Sequence, residues 1–212
     1  MSNINQIREV VKKIAGYNNL GEHLCFFGGA MPYIMTGKDS FREHSDIDIL
    51  VDSRFMPIIR EILKESNLYK PELDSLNFNI DNDYGLKTYI DGVYVEFEPM
   101  EIENNFLHRR SFSPKKQLVG EEIIPFVELT DLIVPISVDG IKTYSYSMEY
   151  IKAQKEKYSR EKDIADINFI DSVGIDPNKY ERTKLNFENA NTKLQNYSSG
   201  QLSGNEKPSK PF

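Results

Sequence analysis

The most informative stretch of this chain is residues 27–51, which read FGGAMPYIMTGKDSFREHSDIDILV. A Gly-Gly pair is followed by a short helical pattern and a loop, and the stretch closes on SDIDILV, where polar and apolar residues alternate. Alternation with a period of two predicts a half-buried β-strand over residues 45–51. Because alternate residues of a strand point to the same side, Asp46 and Asp48 are expected to share one face.

Two carboxylates on one strand face suit a divalent cation. Mg²⁺ prefers oxygen ligands and keeps positions for water and substrate phosphates, so about three protein carboxylates are enough. Two such ions about 4 Å apart commonly serve nucleotidyl transfer. From the residues alone, the third carboxylate is either Glu96 or Glu98, which share a face of the later strand-like segment VYVEFEP.

The glycine pair supplies a second requirement of a nucleotide site. Gly28 and Gly29 precede a short helix, and glycine lets a phosphate approach the backbone while a helix N-terminus offers free N–H groups. Ala30 follows them and contributes only its backbone N–H. A lone D-x-D or Gly-Gly is common in structural strands and turns, but their order along one stretch predicts a single site for a nucleoside triphosphate.

Residues 27–51 resemble the signature of the polymerase-β-like nucleotidyltransferase superfamily, and in detail its small antibiotic-modifying branch of lincosamide and aminoglycoside nucleotidyltransferases. The matching positions are Gly28, Gly29, Thr36, Gly37, Arg42, Glu43, His44, Asp46 and Asp48. The resemblance implies an α/β (α+β) nucleotidyltransferase fold, in which a mixed sheet is flanked by helices and followed by a C-terminal helical extension. It also implies transfer of AMP from ATP to a hydroxyl, with two Mg²⁺ ions held by Asp46, Asp48 and Glu96. The chain departs from the pattern at Ala30, where many members carry serine.

A second segment, KYSREKDIADI at residues 157–167, resembles a Lys/Arg-x-Lys-Asp-x-x-Asp segment that follows the core in this superfamily. Arg160 or Lys162 is interpreted as a triphosphate contact, and the alternative is a solvated helix start with ordinary i, i+4 pairing. Arg42 joins the candidate nucleotide-binding residues because a guanidinium pairs bidentately with phosphate or carboxylate. For His44, a loop histidine hydrogen-bonded to the backbone is a simpler interpretation than a catalytic role.

Glu98 completes the candidate catalytic set of Asp46, Asp48, Glu96 and Glu98. It stands one residue before Pro99, which we expect to place it nearer the pocket mouth. There Glu98 would contact the acceptor, or act as a general base if neighbouring carboxylates raise its pKa.

The chain divides into a predicted catalytic core at residues 1–100, an acceptor side of strands and helices at 101–194, and a polar, disordered tail at 195–212. Helical periodicity predicts helices at 3–15, 30–35, 54–66, 147–158, 160–172 and 176–194. Three short strands are predicted within 74–98, with a hairpin at Asp91-Gly92, and further extended segments within 106–127.

Charge and composition restrict the partners. The chain carries a net charge of −7, and residues 175–212 hold six Lys/Arg against four Asp/Glu, which leaves −9 on residues 1–174. An acidic body disfavours a nucleic-acid partner and favours a cationic or neutral small acceptor. The resemblance implies that this acceptor is a hydroxylated molecule, such as an antibiotic. The alternatives are a toxin-type nucleotidyltransferase acting on tRNA or protein, and a nucleotide-binding module without turnover.

The same composition predicts the surroundings of the protein. The hydrophobic fraction of 39% and charged fraction of 28% are typical of soluble globular proteins. No apolar run approaches the roughly 20 residues of a membrane span, so we expect a cytoplasmic protein without a membrane partner. The single cysteine, Cys25, lies in an apolar run and is expected to be buried.

Overall fold

The computed structural model describes residues 3–197, apart from the side chain of Asn19. Its helices are α1 (Ile4–Gly16), α2 (Met31–Thr36), α3 (Met56–Glu65), α4 (Leu129–Leu132), α5 (Met148–Tyr158), α6 (Glu161–Val173) and α7 (Pro177–Glu188). Its strands are β1 (Leu24–Phe27), β2 (Asp46–Asp52), β3 (Leu86–Ile90), β4 (Val93–Glu103), β5 (Phe106–Ser113), β6 (Leu118–Pro125), β7 (Ile133–Val138), β8 (Ile141–Tyr146) and β9 (Asn191–Asn196).

All nine strands form one mixed sheet in the order β7-β8-β1-β2-β4-β5-β6-β9, with β3 also paired to β4. The pairs β2/β4 and β1/β8 are parallel, and the other pairs are antiparallel. Within the described residues, seven helices accompany this sheet. The predicted fold class, a mixed sheet flanked by helices, is therefore confirmed.

Helix α1 forms because its apolar residues recur at helical spacing and its start is capped. The Asn3 side chain accepts a hydrogen bond from the backbone N–H of Gln6 at 2.9 Å, and the residues predicted to face the sheet are buried. The core they join is built from both the N-terminal and C-terminal halves of the chain. The apolar residues that α1 contributes at helical spacing are Ile4, Ile7, Val10, Val11 and Ile14. Cys25 lies in the same core, as expected, and burial raises the pKa of its thiol.

Two turns depend on glycine, and the second is the predicted hairpin. Helix α2 ends at Thr36, and Gly37 caps it with a left-handed φ of 68°. Asp91 and Gly92 have φ values of 50° and 81°, as a two-residue hairpin turn requires, and they place Ile90 opposite Val93. This turn fixes the register between β3 and β4.

Residues 74–80 differ from their prediction as the first of three strands. Ser75–Asn77 forms a 3-10 turn, which begins where the Asp74 side chain accepts a hydrogen bond from the backbone N–H of Leu76 at 3.1 Å. Asp74 also forms a bidentate pair with Arg60 at 2.8 and 2.9 Å. A buried ion pair in this position bends the chain where alternation alone indicated a strand.

The C-terminal part contains strands that sequence patterns missed. Residues 129–146 form α4, β7 and β8, and the helix predicted for 176–194 ends at Glu188, after which β9 pairs with β6. Residues 195 and 196, predicted to begin the disordered tail, lie in β9. Tyr197 is buried against two aromatic rings, and residues 198–212 lie outside the described part of the chain.

The predicted boundary at residue 100 falls within β4, so the proposed core and acceptor side share one strand. Among residues 3–197, we find no helix that is both long enough and apolar enough to cross a membrane.

Candidate active site

The aspartates of β2 lie in a row of side chains that crosses the sheet. Asp48 is the register partner of Phe27 on β1 and of Glu96 on β4, and Glu96 is in turn the partner of Lys87 on β3. Register partners point to the same side of a sheet. Asp46, Asp48 and Glu96 therefore share one face, as the sequence indicated.

Asp48 lies against the Gly-Gly turn. Gly28 has a φ of 95°, a conformation that favours glycine, and a Cβ atom at this position would come within 2.9 Å of the Asp48 Oδ2 atom. Loss of hydration raises the pKa of Asp48 well above its ordinary value, and the charges of Asp46, Glu96 and Glu98 raise it further. The turn and the carboxylates thus form one site with excess negative charge.

The residue types fit a divalent cation, although their side chains do not converge on one point. In the arrangement of residues 3–197, no three carboxylate, histidine or cysteine side chains stand close enough together to hold a metal ion. Glu96 is bound by the ammonium group of Lys87, whereas Asp46 accepts a hydrogen bond from the Ser45 hydroxyl at 3.1 Å. Oxygen ligands from Asp46 and Asp48 suit Mg²⁺, and Glu96 would join them once Lys87 releases it.

Glu98 was predicted to lie nearer the pocket mouth, and this prediction is wrong, because the residue is buried and only 5% exposed. Arg109 lies opposite Met100 across the β4/β5 pair, and from there its Nε donates to Glu98 at 2.6 Å while Nη1 lies 3.4 Å from Glu122. The guanidinium also stacks over the ring of Phe27, 4.6 Å from its centroid. Burial raises the pKa of Glu98, and the charge of Arg109 opposes that rise.

Two tyrosines extend this polar cluster. Tyr146 on β8 packs 5.3 Å from Phe27 and 4.6 Å from Tyr150 on α5, measured between ring centroids. Both hydroxyl groups are buried and find no hydrogen-bond partner within residues 3–197. Buried hydroxyls without partners are uncommon, and functional sites are one place where they occur.

Arg42 lies against the second glycine of the turn. A Cβ atom on Gly29 would come within 2.1 Å of the Arg42 Nη2 atom, so only glycine leaves room for this guanidinium. Arg42 donates from Nε and Nη2 to the two oxygens of Asp166 on α6, at 3.0 and 2.6 Å. Ala30 follows as the residue before α2 and makes no side-chain cap.

The basic residues of the second motif lie at the surface, and their contact with a triphosphate stays a prediction. Arg160 is half-exposed and pairs with Asp163 at 2.7 Å, and Lys162 is exposed. The aspartates of the motif face inward instead, and both contact Lys155 of α5, at 3.2 Å from Asp163 and 2.7 Å from Asp166. The three-residue spacing of the two aspartates, which places them on one helix face, could have indicated this.

His44 is buried, and its ring bonds a side chain where the simpler interpretation expected a backbone group. Its Nε2 lies 2.8 Å from the Ser40 hydroxyl, and its ring packs edge-on against Tyr33. Burial, with a smaller effect from the charge of Arg42, lowers the pKa of His44 to about 4. The imidazole is therefore neutral at neutral pH, which suits a structural role in the loop before β2.

Comparisons with known proteins find similar structures but no similar sequence. No family model and no curated protein matches the chain in sequence. Among solved structures, the chain is similar to the lincosamide antibiotic adenylyltransferase LnuA in its lincomycin-bound form, with a TM-score of 0.54 and 18% identity over 80% of this chain and 97% of that one. It is also similar to ANT(2")-Ia in complex with adenylyl-2"-tobramycin, with a TM-score of 0.52 and 17% identity over 87% of this chain and 98% of that one. At these identities the likeness establishes the architecture alone, and the chain has the nucleotidyltransferase fold seen in these antibiotic-modifying proteins.

Proposed function

We propose that the chain is a metal-dependent nucleotidyltransferase that transfers AMP from ATP to a hydroxyl group of a small molecule. One observation carries the proposal: Asp46 and Asp48 lie on one strand face, with Asp48 against the Gly28 backbone and Glu96 in register beside it. Neither aspartate forms an ion pair within residues 3–197. Such a concentration of carboxylates beside a glycine turn suits the phosphates and cations of a metal-bound nucleotide.

Each residue of the site has a task in this proposal. The backbone N–H groups of Gly28 and Gly29 hold the triphosphate, and Arg42 offsets its negative charge. Asp46, Asp48 and Glu96 would hold Mg²⁺, which when bound neutralises the developing charge and makes the attacking hydroxyl more acidic. Lys87 would have to release Glu96 before this residue could hold Mg²⁺, because the ammonium group and the ion would need the same carboxylate oxygens.

The acceptor would lie on the side of Glu98. From Asp48 the same sheet face continues to Glu98, Arg109 and Glu122, and the unpartnered hydroxyls of Tyr146 and Tyr150 cover it. The acidic body favours a neutral or cationic acceptor, and similarity to structures holding lincomycin and adenylyl-tobramycin supports an antibiotic.

Labelled nucleotides test the proposal. The protein would be incubated with Mg²⁺, each of the four triphosphates and, separately, lincomycin, tobramycin, total tRNA and a cell lysate, with Asp48→Asn as the matched control. Label on a small molecule, present with the unsubstituted chain and absent with Asp48→Asn, supports the proposal. Label on tRNA or on a protein indicates the toxin-type activity, and nucleotide binding without any labelled product indicates a module without turnover.

A further inference from the structure

Two motifs that lie far apart in the chain meet in one buried charge network. Arg42, from the loop before β2, binds Asp166 from α6, and Asp166 also accepts hydrogen bonds from Lys155 at 2.7 Å and from the Tyr33 hydroxyl at 3.1 Å. Asp166 is fully buried, and Arg42 is 20% exposed through its side chain. The network therefore holds the partly exposed side chain of Arg42 in place through contacts on its buried side.

The pair is bidentate, which fixes the direction of the guanidinium as well as its place. Nε and Nη2 of Arg42 each bind one oxygen of Asp166, and Nη1 donates to the carbonyl oxygen of Glu43 at 3.0 Å. Of the five N–H groups of Arg42, two thus have no acceptor within residues 3–197. They belong to the Nη atoms, and Nη2 is the atom that lies over Gly29.

The balance of charge also favours an anion at this place. Asp163 and Asp166 are shared among Lys155, Arg160 and Arg42, so the network carries one more positive than negative charge. The two aspartates and Lys155 are buried. The excess charge is therefore presented through the exposed part of Arg42, beside the glycine turn.

We propose that Asp166 is a positioning residue for the nucleotide: it holds Arg42 over Gly29 so that the free N–H groups of the guanidinium meet the triphosphate. This inference rests on the proposed function, because it names how that nucleotide site is built. Asp166 does not itself contact the nucleotide, and its effect passes through Arg42. The C-terminal helices thereby contribute to the phosphate site of the N-terminal part of the chain.

The matched control is Asp163. It lies on the same helix, is equally buried and binds the same lysine, but it does not contact Arg42. Two quantities are measured for each protein: the free energy of unfolding, by urea titration, and the dissociation constant of Mg²⁺-bound α,β-methylene-ATP, by calorimetry. The proteins are the unsubstituted chain, Arg42→Gln, Asp166→Asn, Asp163→Asn and the Arg42→Gln/Asp166→Asn double variant.

Loss of a charge-assisted contact predicts that Asp166→Asn and Arg42→Gln each weaken binding of the analogue about tenfold or more. The double variant should bind as weakly as Arg42→Gln alone, because Asp166 acts only through Arg42. Asp163→Asn should lose stability yet keep the dissociation constant within about twofold of the unsubstituted chain.

If Asp166→Asn does not fold, Gly29→Ala provides a second test. Its methyl group displaces the end of the Arg42 side chain while both charges remain, and it should weaken binding in the unsubstituted chain but add little in Arg42→Gln. Two results would overturn the inference alone. One is that the effect of Asp166→Asn or Gly29→Ala on the dissociation constant multiplies with the effect of Arg42→Gln. The other is that Asp163→Asn weakens binding of the analogue as much as Asp166→Asn does. An unsubstituted chain that does not bind the analogue would overturn the proposed function with it.

Discussion

Asp48 and Glu96 are direct register partners on the parallel strands β2 and β4. This relationship brings a carboxylate from the D-x-D segment beside one that is 48 positions later in the chain, on the same face of the sheet. Because Lys87 faces Glu96 from the opposite strand, one carboxylate of the pair is compensated and the other is not. The uncompensated negative charge of this pair of strands therefore lies on Asp46 and Asp48.

Asp48→Asn and Asp46→Asn should each reduce turnover by at least about a hundredfold, because an amide keeps the shape of the ligand and removes its charge. Without metal, Asp48→Asn should also raise the melting temperature, since repulsion from Asp46, Glu96 and Glu98 is what raises the pKa of Asp48 together with burial. Thermal unfolding in EDTA and steady-state kinetics in Mg²⁺ measure the two effects. A variant with full turnover would reject the metal assignment.

Glu96→Gln and Glu98→Gln should fail in different ways. Glu96→Gln should lower kcat by about a hundredfold to a thousandfold, as expected for lost transition-state stabilisation, and should also lower stability because the buried ammonium group of Lys87 loses its carboxylate. Glu98→Gln should lower the free energy of unfolding by about 3 kcal/mol, because it leaves the guanidinium of Arg109 without its closest carboxylate.

Circular dichroism in urea and single-turnover kinetics separate these two outcomes. Arg109→Gln serves as the control for Glu98, because it breaks the same pair from the other side. A Glu96→Gln variant with a normal kcat together with a stable but inactive Glu98→Gln would exchange the roles that we give to the two residues.

The N-terminal half of the site could be predicted from the sequence because its signals are local. The Asp91-Gly92 turn fixes the register of β3 against β4. Recognising this hairpin was therefore enough to predict that Lys87 lies opposite Glu96. Glu98 was placed wrongly because its environment depends on Arg109, which comes from β5 by a pairing that no local pattern reveals. Long-range partners of this kind decide the burial of a charged side chain.

Tyr197→Ala should lower the free energy of unfolding by about 2–4 kcal/mol, because the ring is buried between Phe78 and Phe112, 5.6 Å from each centroid. The matched control is Leu194→Ser, which changes an apolar side chain of β9 that is 70% exposed and should have little effect. Urea titrations of both variants measure the difference. Equal stability of the two would show that Tyr197 does not anchor the end of the chain.

The acid stability of the protein should depend on Asp163. Burial disfavours its ionised form, but hydrogen bonds from Arg160 and the charge of Lys155 outweigh burial and lower its pKa to about 2 from an ordinary 3.8. A depressed pKa in the folded state stabilises the protein above pH 3.8, and that stabilisation is lost as the pH falls toward 2. Asp163→Asn should therefore show a smaller loss of stability between these pH values.

Urea titrations at several pH values would measure this dependence, with Asp39→Asn, an exposed position, as the control. An unchanged slope for Asp163→Asn would contradict the ion-pair account of the network.

Strand β9 shows why the C-terminal boundary could not be predicted. Its residues, NTKLQN, are all exposed, so neither alternation nor apolar content distinguishes them from a loop. Pairing with β6 supplies the hydrogen bonds that make this segment a strand. The same holds for the pairing of Asp166 with Arg42, which joins residues 124 positions apart in the chain.

The position of the transferred label tests the central claim most directly. The protein would be incubated with Mg²⁺ and ATP labelled either at the α-phosphate or at the γ-phosphate, with the acceptor identified from the panel and Asp48→Asn as the control. A nucleotidyltransferase places the α-label on the acceptor and releases the γ-label as pyrophosphate, and Asp48→Asn does neither. Transfer of the γ-label to the acceptor, or α-label transfer that persists in Asp48→Asn, would contradict the account.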